Sequence, residues 1–106
     1  MTDKELLELA AKAAGIEGPY ISYCGISIGT ERDGHICWNP LKDDAAALRL
    51  AVKLHMSVLS NETASWVAVG MQQINRAEET HDGSDPYAAT RRAIVRAAAE
   101  IGKEMK

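Results

Sequence analysis

The chain has 106 residues, of which 46% are hydrophobic and 25% charged, and it carries a formal net charge of −3 at pH 7. This length and composition describe one globular domain over residues 1–106, able to bury about 60–70% of its unfolded surface, and exclude a disordered chain. No apolar run approaches the ~18 residues of a membrane span, acids stand near the N-terminus where a signal peptide carries lysines, and the net charge weighs against nucleic acid. The expected compartment is therefore a cytoplasm, with no membrane partner.

Thr2 with Glu5 three residues later forms a capping box that opens a helix over Asp3–Ala14. Leu6, Leu9, Ala10 and Ala13 share one face with Leu7 and Ala14 beside it, and Glu8 and Lys12 sit in the favourable i,i+4 order opposite. Gly15 ends this helix. The aromatic and β-branched run Tyr20–Ile28 then predicts one strand, and Asp33-Gly34 predicts a hairpin that returns through His35–Trp38. Pro40 stops the returning strand, because proline cannot donate to a ladder.

Asp43 or Asp44 caps a second helix over Asp44–His55. Ala45, Ala47, Leu48, Leu50, Ala51, Val52 and Leu54 leave only Arg49 and Lys53 as a narrow polar stripe. A helix that is apolar almost all round packs on several sides or lies in an interface. Leu50 and Leu54 are accordingly candidate interface residues. Ser57–Ser60, a turn at Asn61-Glu62 and Thr63–Gly70 predict a second hairpin, Gln72–Glu79 a weak edge strand, and Thr80–Ser84 a polar loop. In the longer strand Trp66 and Ala68 point one way and Val67, Val69 and Met71 the other.

Asp85 followed by Pro86 opens the last helix, which runs to about Met105. Its expected core stripe is Tyr87, Ile94, Ala98, Ile101 and Met105, with Arg92, Arg96 and Lys103 opposite and Arg91 at the border. The order α-β-β-α-β-β-α, with a fifth weak strand, predicts an α+β fold. Strands that are apolar on both faces predict a mostly antiparallel four- to five-stranded sheet with helices on both faces, an α/β/α sandwich.

Chemistry-bearing residues are sparse. Cations near a helix N-terminus oppose the macrodipole, so Arg91 and Arg92 need partners. The acids Glu78, Glu79, Asp82 and Asp85 just upstream are the favoured ones. The functional alternative is an anion or a partner's carboxylates held by Arg91, Arg92, Arg96 and Lys103. Cys24 and Cys37 read as core thiols of a cytoplasmic chain, although a hairpin also lets them face each other as a disulfide. With His35 they could make a zinc set or a Cys-His nucleophile, but the tight spacing of structural zinc pairs is missing. Asp43-Asp44 reads as a cap and first turn rather than a metal pair. Gly25 and Gly29 open no phosphate loop, and Trp38 and Trp66 read as core anchors. No catalytic, cofactor-binding or metal residue is assigned.

Trp38-Asn39-Pro40-Leu41-Lys42-Asp43-Asp44, followed by Ala47-Leu48-Arg49-Leu50-Ala51-Val52-Lys53-Leu54, resembles the central motif of the phage alpha-beta-alpha sandwich domain family. The closing run from Asp85 to Gly102 is similar to that family's C-terminus, and Leu6–Ile16 fits its opening. One departure stands at Ala45-Ala46, where the family more often has Gly-Asp. The resemblance implies helices on both sides of a sheet, a phage or prophage origin and hence the cytoplasm of a host bacterium. It implies no activity, cofactor or catalytic residue. The expected function is an accessory role exerted through an unknown protein partner or self-association, non-enzymatic rather than enzymatic; the alternative is a nucleic-acid or anion-binding module.

Overall fold

The computed structural model describes residues 2–30, 34–61, 63–69, 74–80 and 85–105. In chain order these form α1 (Asp3–Ala14), β1 (Tyr20–Ile21), β2 (Gly25–Thr30), β3 (Gly34–Trp38), α2 (Asp44–Lys53), β4 (Met56–Ser60), β5 (Ala64–Val69), β6 (Ile74–Thr80) and α3 (Pro86–Glu104). The expected turn at Asp33, the corner at Glu62 and most of the polar loop before Asp85 lie outside the described residues.

Each helix begins where a side chain can satisfy a free backbone donor. Thr2 Oγ1 accepts from the Glu5 amide (3.2 Å), Asp43 Oδ1 from Ala45 (3.1 Å) and Asp85 Oδ1 from Ala88 (3.0 Å). The cap of α2 is thus Asp43. At the end of α1, Gly15 takes a left-handed φ of 73°, and the Ile16 and Gly15 amides donate to the Ala11 and Lys12 carbonyls. That is the geometry glycine permits without a Cβ penalty.

The strands form two separate antiparallel sheets, β1-β2-β3 and β4-β5-β6, rather than one of four or five strands. The first difference from expectation lies within Tyr20–Ile28. Ser22, Tyr23 and Cys24 form a tight turn in which the Cys24 amide donates to the Ile21 carbonyl (2.9 Å). Gly25 follows with φ 94°, so the run folds back on itself and Tyr20 pairs with Ile26. Gly25 also faces the Trp38 carbonyl so closely that a Cβ would stand 2.6 Å from it. The second hairpin and the weak edge strand are found as expected, with a register shift between Val67 and Val69.

A close pair of helices, α1 and α3, holds the two sheets together. The first sheet packs on α1 and the second on α3, while α2 packs on α3 and β4. Helix α3 is therefore buried on most sides in its middle, through Ala93, Ile94, Val95, Ala97, Ala98, Ala99 and Gly102. This corrects the expected stripe: Tyr87, 71% exposed, and Met105 project beyond the packed zone at the two ends. In the second sheet Ser65 and Val67 are fully buried on the α3 side. On its other face the row Leu59, Trp66 and Glu78 runs across the strands, with Leu59 and Glu78 exposed and Trp66 half-buried. Among the described residues that face carries no helix, so the two-sided cover expected of a sandwich is not found there.

The α1–α3 contact is made backbone to backbone. Gly102 lies against Leu9 so tightly that any Cβ would overlap the Leu9 carbonyl and the atoms beside it. Lys12 Nζ closes the same seam by donating to the Met105 carbonyl (2.8 Å). Glycine within a helix costs about 1 kcal/mol relative to alanine, so in isolation Gly102→Ala would stabilise α3. Here the methyl forces the helices apart, and overpacking costs about 1–3 kcal/mol or more. A fall in the urea midpoint of Gly102→Ala is the expected result; an unchanged or raised midpoint would show the helices free to separate.

Candidate functional site

The three arginines of α3 are each held by acceptors of their own chain. Arg91 donates through Nε to the Leu41 carbonyl (2.8 Å) and through Nη1 to Asp44 Oδ1 (2.6 Å). Arg92 reaches Asp3 and Glu79, each at 3.3 Å. Arg96 donates to the Glu78 carbonyl and to Glu79 Oε1, both at 2.9 Å. Of the acids expected as partners, Glu79 fills that role and Asp85 serves as the cap, while Asp82 lies outside the described residues. Asp3 and Asp44, which sequence proximity does not suggest, complete the set. Lys103 is exposed in the last turn of α3.

A groove opens where α2, β4 and the first turns of α3 meet. Its elements are set by a sharp corner: His55 adopts φ 56° immediately before β4, so the chain turns from α2 directly into the strand beside it. The groove measures about 550 Å³. Ala47, Leu48 and Ala51 line one side, Val58 and Ser60 the other, and Tyr87, Thr90 and Ile94 lie along α3. Arg91 and Asp44 stand at one end as a bonded pair. A chain of hydroxyls stitches its strand side to α3. Ser60 Oγ lies 3.2 Å from Ser65 Oγ, which lies 2.7 Å from Thr90 Oγ1, which donates to the Pro86 carbonyl (2.7 Å). These bonds satisfy the hydroxyl of the fully buried Ser65 and fix the strand against the helix.

Around this groove the molecule leaves large apolar side chains in solvent: Leu48 and Val52 are 64% and 66% exposed, with Tyr87 and Val58 beside them. Leu50 is instead buried in the core of the single chain, and Leu54 is half-buried against it. The apolar contact residues that α2 offers are thus Leu48 and Val52. They lie one helical turn apart on the side away from Ala47, Leu50 and Ala51, which the core claims. A second, larger cavity of about 950 Å³ lies between β5, β6 and α3, but Glu78, Glu79 and Asp85 share it with Arg92, so it does not read as an anion site.

Cys24 and Cys37 are joined as a disulfide, with Cα atoms 5.0 Å apart. This corrects the expectation of two core thiols: Cys24 is buried, but Cys37 is exposed on β3. The turn at Ser22–Cys24 and the close approach of Gly25 to Trp38 bring the first sulfur back over the returning strand. A zinc set and a Cys-His nucleophile both need a thiolate, which bonded sulfurs do not supply. Among the described residues no group of three or more His, Cys, Asp or Glu converges. Asp43 and Asp44 are taken up by the α2 cap and by Arg91, and Trp38 and Trp66 are half-buried.

The disulfide closes a loop of 13 residues' separation, for which loop-closure entropy gives about 3 kcal/mol. The double variant Cys24→Ser, Cys37→Ser should lose about 2–3 kcal/mol in urea unfolding, and the wild-type protein should match it in reductant. Equal stability with and without reductant would show that the bond contributes nothing.

No family model, no curated protein and no solved structure matches the chain.

Proposed function

We propose that the protein is a non-enzymatic accessory protein of a phage or prophage, acting through protein–protein contacts made at the α2–β4–α3 groove. The observation that carries this reading is the exposure of Leu48, Val58 and Tyr87 in the lining of one groove, with exposed Val52 one helical turn from Leu48. Exposed apolar side chains scattered singly are ordinary, but gathered about a concave surface they mark a contact site. The groove's walls are mostly apolar, and Asp44, Ser60, Thr90 and Arg91 in its lining already hold hydrogen bonds within the chain, which suits a protein surface better than a reacting small molecule. The anion-binding alternative has less support, because Arg91, Arg92 and Arg96 are engaged by acceptors of the chain itself.

The setting that goes with this reading is the cytoplasm of a host bacterium. No described helix is long and apolar enough to cross a membrane. The Cys24–Cys37 bond bears on the compartment, since a reducing cytoplasm holds such a pair as thiols and an oxidising space holds it as a disulfide. The groove lies on the other hairpin and on α2 and α3, so the contact reading stands in either.

A photoreactive side chain placed at Leu48 or Tyr87 in growing cells should give protein adducts several-fold above the same probe at Lys4 or Glu100, which are exposed elsewhere. Leu48→Asp should remove the adduct formed from position 87 while changing stability by no more than about 0.5 kcal/mol, as expected of an exposed position. Equal yields at all four positions would overturn the proposal.

A further inference from the structure

Among the described residues strand β4 is an edge strand, paired only with β5, and its residues after Met56 are all exposed. The hydrogen-bond phase of the hairpin shows which backbone groups it leaves open. The Asn61 amide donates to the Ala64 carbonyl (3.0 Å) and closes the hairpin. Along an antiparallel ladder, bonded and non-bonded pairs alternate. Leu59 with Trp66 and Ser57 with Ala68 are then the bonded pairs, and Met56, Val58 and Ser60 direct their N–H and C=O groups away from β5. An edge of this kind is a template for another strand, and folded proteins commonly blunt it with charge, proline or shortness.

Two of the other edges among the described residues are blunted in these ways. Strand β6 carries Glu78 and Glu79 and β1 has two residues, whereas β3, like β4, holds neither a charge nor a proline. Strand β4, Met56-Ser57-Val58-Leu59-Ser60, holds neither a charge nor a proline.

We infer that the partner at this surface is a second copy of the chain, added antiparallel along β4 about a two-fold axis through Val58. The inference rests on the protein-contact reading above and names its partner. An open row of amides and carbonyls is satisfied by a strand, which sets aside a helix or an apolar small molecule as the occupant. Centring the pair on Val58 places Val58 opposite its own copy and Met56 opposite Ser60. All three are the outward-directed residues, so the registers agree and about six backbone hydrogen bonds form. In a two-fold pair each residue near the axis meets its own copy or a near neighbour, so any charge on the strand would face a like charge. The neutrality of β4 removes that penalty. The two three-stranded sheets become one of six strands.

The side chains follow the same symmetry. Val58 and Ser60 face the groove, as the Ser60–Ser65–Thr90 hydroxyl chain shows. The second copy's Val58 therefore enters beside the first at the groove's open side. A two-fold axis perpendicular to the sheet keeps both α2 helices on one face, so the exposed Leu48 and Val52 of each copy come to the same seam.

Sedimentation equilibrium at up to roughly 100 µM, where even weak association registers, should find the wild-type protein dimeric. Val58→Lys and Val58→Glu each set like charges across the axis and should weaken association at least about ten-fold. Circular dichroism should show both variants folded, as Val58 is already 38% exposed. An equimolar mixture of the two variants should restore the dimer, an outcome that misfolded variants cannot give. A monomeric wild-type protein, a Val58→Lys variant that associates like wild type, or a mixture that stays monomeric would overturn the inference. If the wild-type protein is monomeric while probes at positions 48 and 87 still mark other proteins, the contact reading holds and the second-copy partner is wrong; if those probes mark nothing either, both fall.

Discussion

The rest of the structure depends on how closely α1 and α3 approach at Gly102 and Leu9. The chain has no phenylalanine, and its core is built mainly from alanine, with Leu7, Ile26, Val67 and Val95 as the largest apolar side chains that are fully buried alongside Pro40. Small side chains fill space only if backbones come close together, since close packing tolerates few voids. Gly102 permits that approach, and Ala10, Ala14, Ala97, Ala98 and Ala99 share the same buried centre. Because each sheet rests on a different member of this pair, the helix separation also sets where the two sheets stand relative to each other.

The arginine cluster on α3 belongs to the same problem. A central helix must be fixed in rotation as well as in distance, and a smooth alanine surface offers little to fix it. Arg91, Arg92 and Arg96 supply that from one side, reaching the loop before α2, the first turn of α2, the first residue of α1 and strand β6. Exposed ion pairs contribute little each, about 0–1 kcal/mol. Arg91 is less exposed, and its two acceptors lie at right positions for a directional fork. The cost of cations near a helix N-terminus is offset by acids brought from elsewhere in the fold.

What the sequence makes legible is what depends on neighbours along the chain. The three caps, the Gly15 terminus, the second hairpin and the edge strand β6 all follow from local chemistry and are found. The break at Ser22–Cys24 is harder to see, because Tyr20–Ile28 keeps β-favouring residues on both sides of it and only Gly25 marks the reversal. The choice between Leu50 and Leu48 on α2 is not legible for a related reason. A helix apolar all round gives no wheel direction, so which face the core takes is decided by the corner at His55 and by the position of α3. Tyr87 misleads likewise: its spacing fits the core stripe, but it falls in the first turn, ahead of the zone where α1 and the second sheet close around α3.

The remaining question is why a small domain with a core this lean leaves Leu48, Val52, Val58, Leu59 and Tyr87 in water. None of them is needed to close the α1–α3 seam, and the core cluster is continuous without them. Charge is not scarce in the chain, at 25% of residues, and it stands on the edge strand β6. It is missing from β4, and the two charges that line the groove beside it, Asp44 and Arg91, are bonded to each other. An unprotected edge raises the hazard of uncontrolled pairing. That hazard is contained when the edge closes on itself, because a two-fold pair uses up both open strands and propagates no further. An uncharged edge strand lying beside a groove rimmed by exposed apolar side chains, more than any single exposed residue, therefore distinguishes this face.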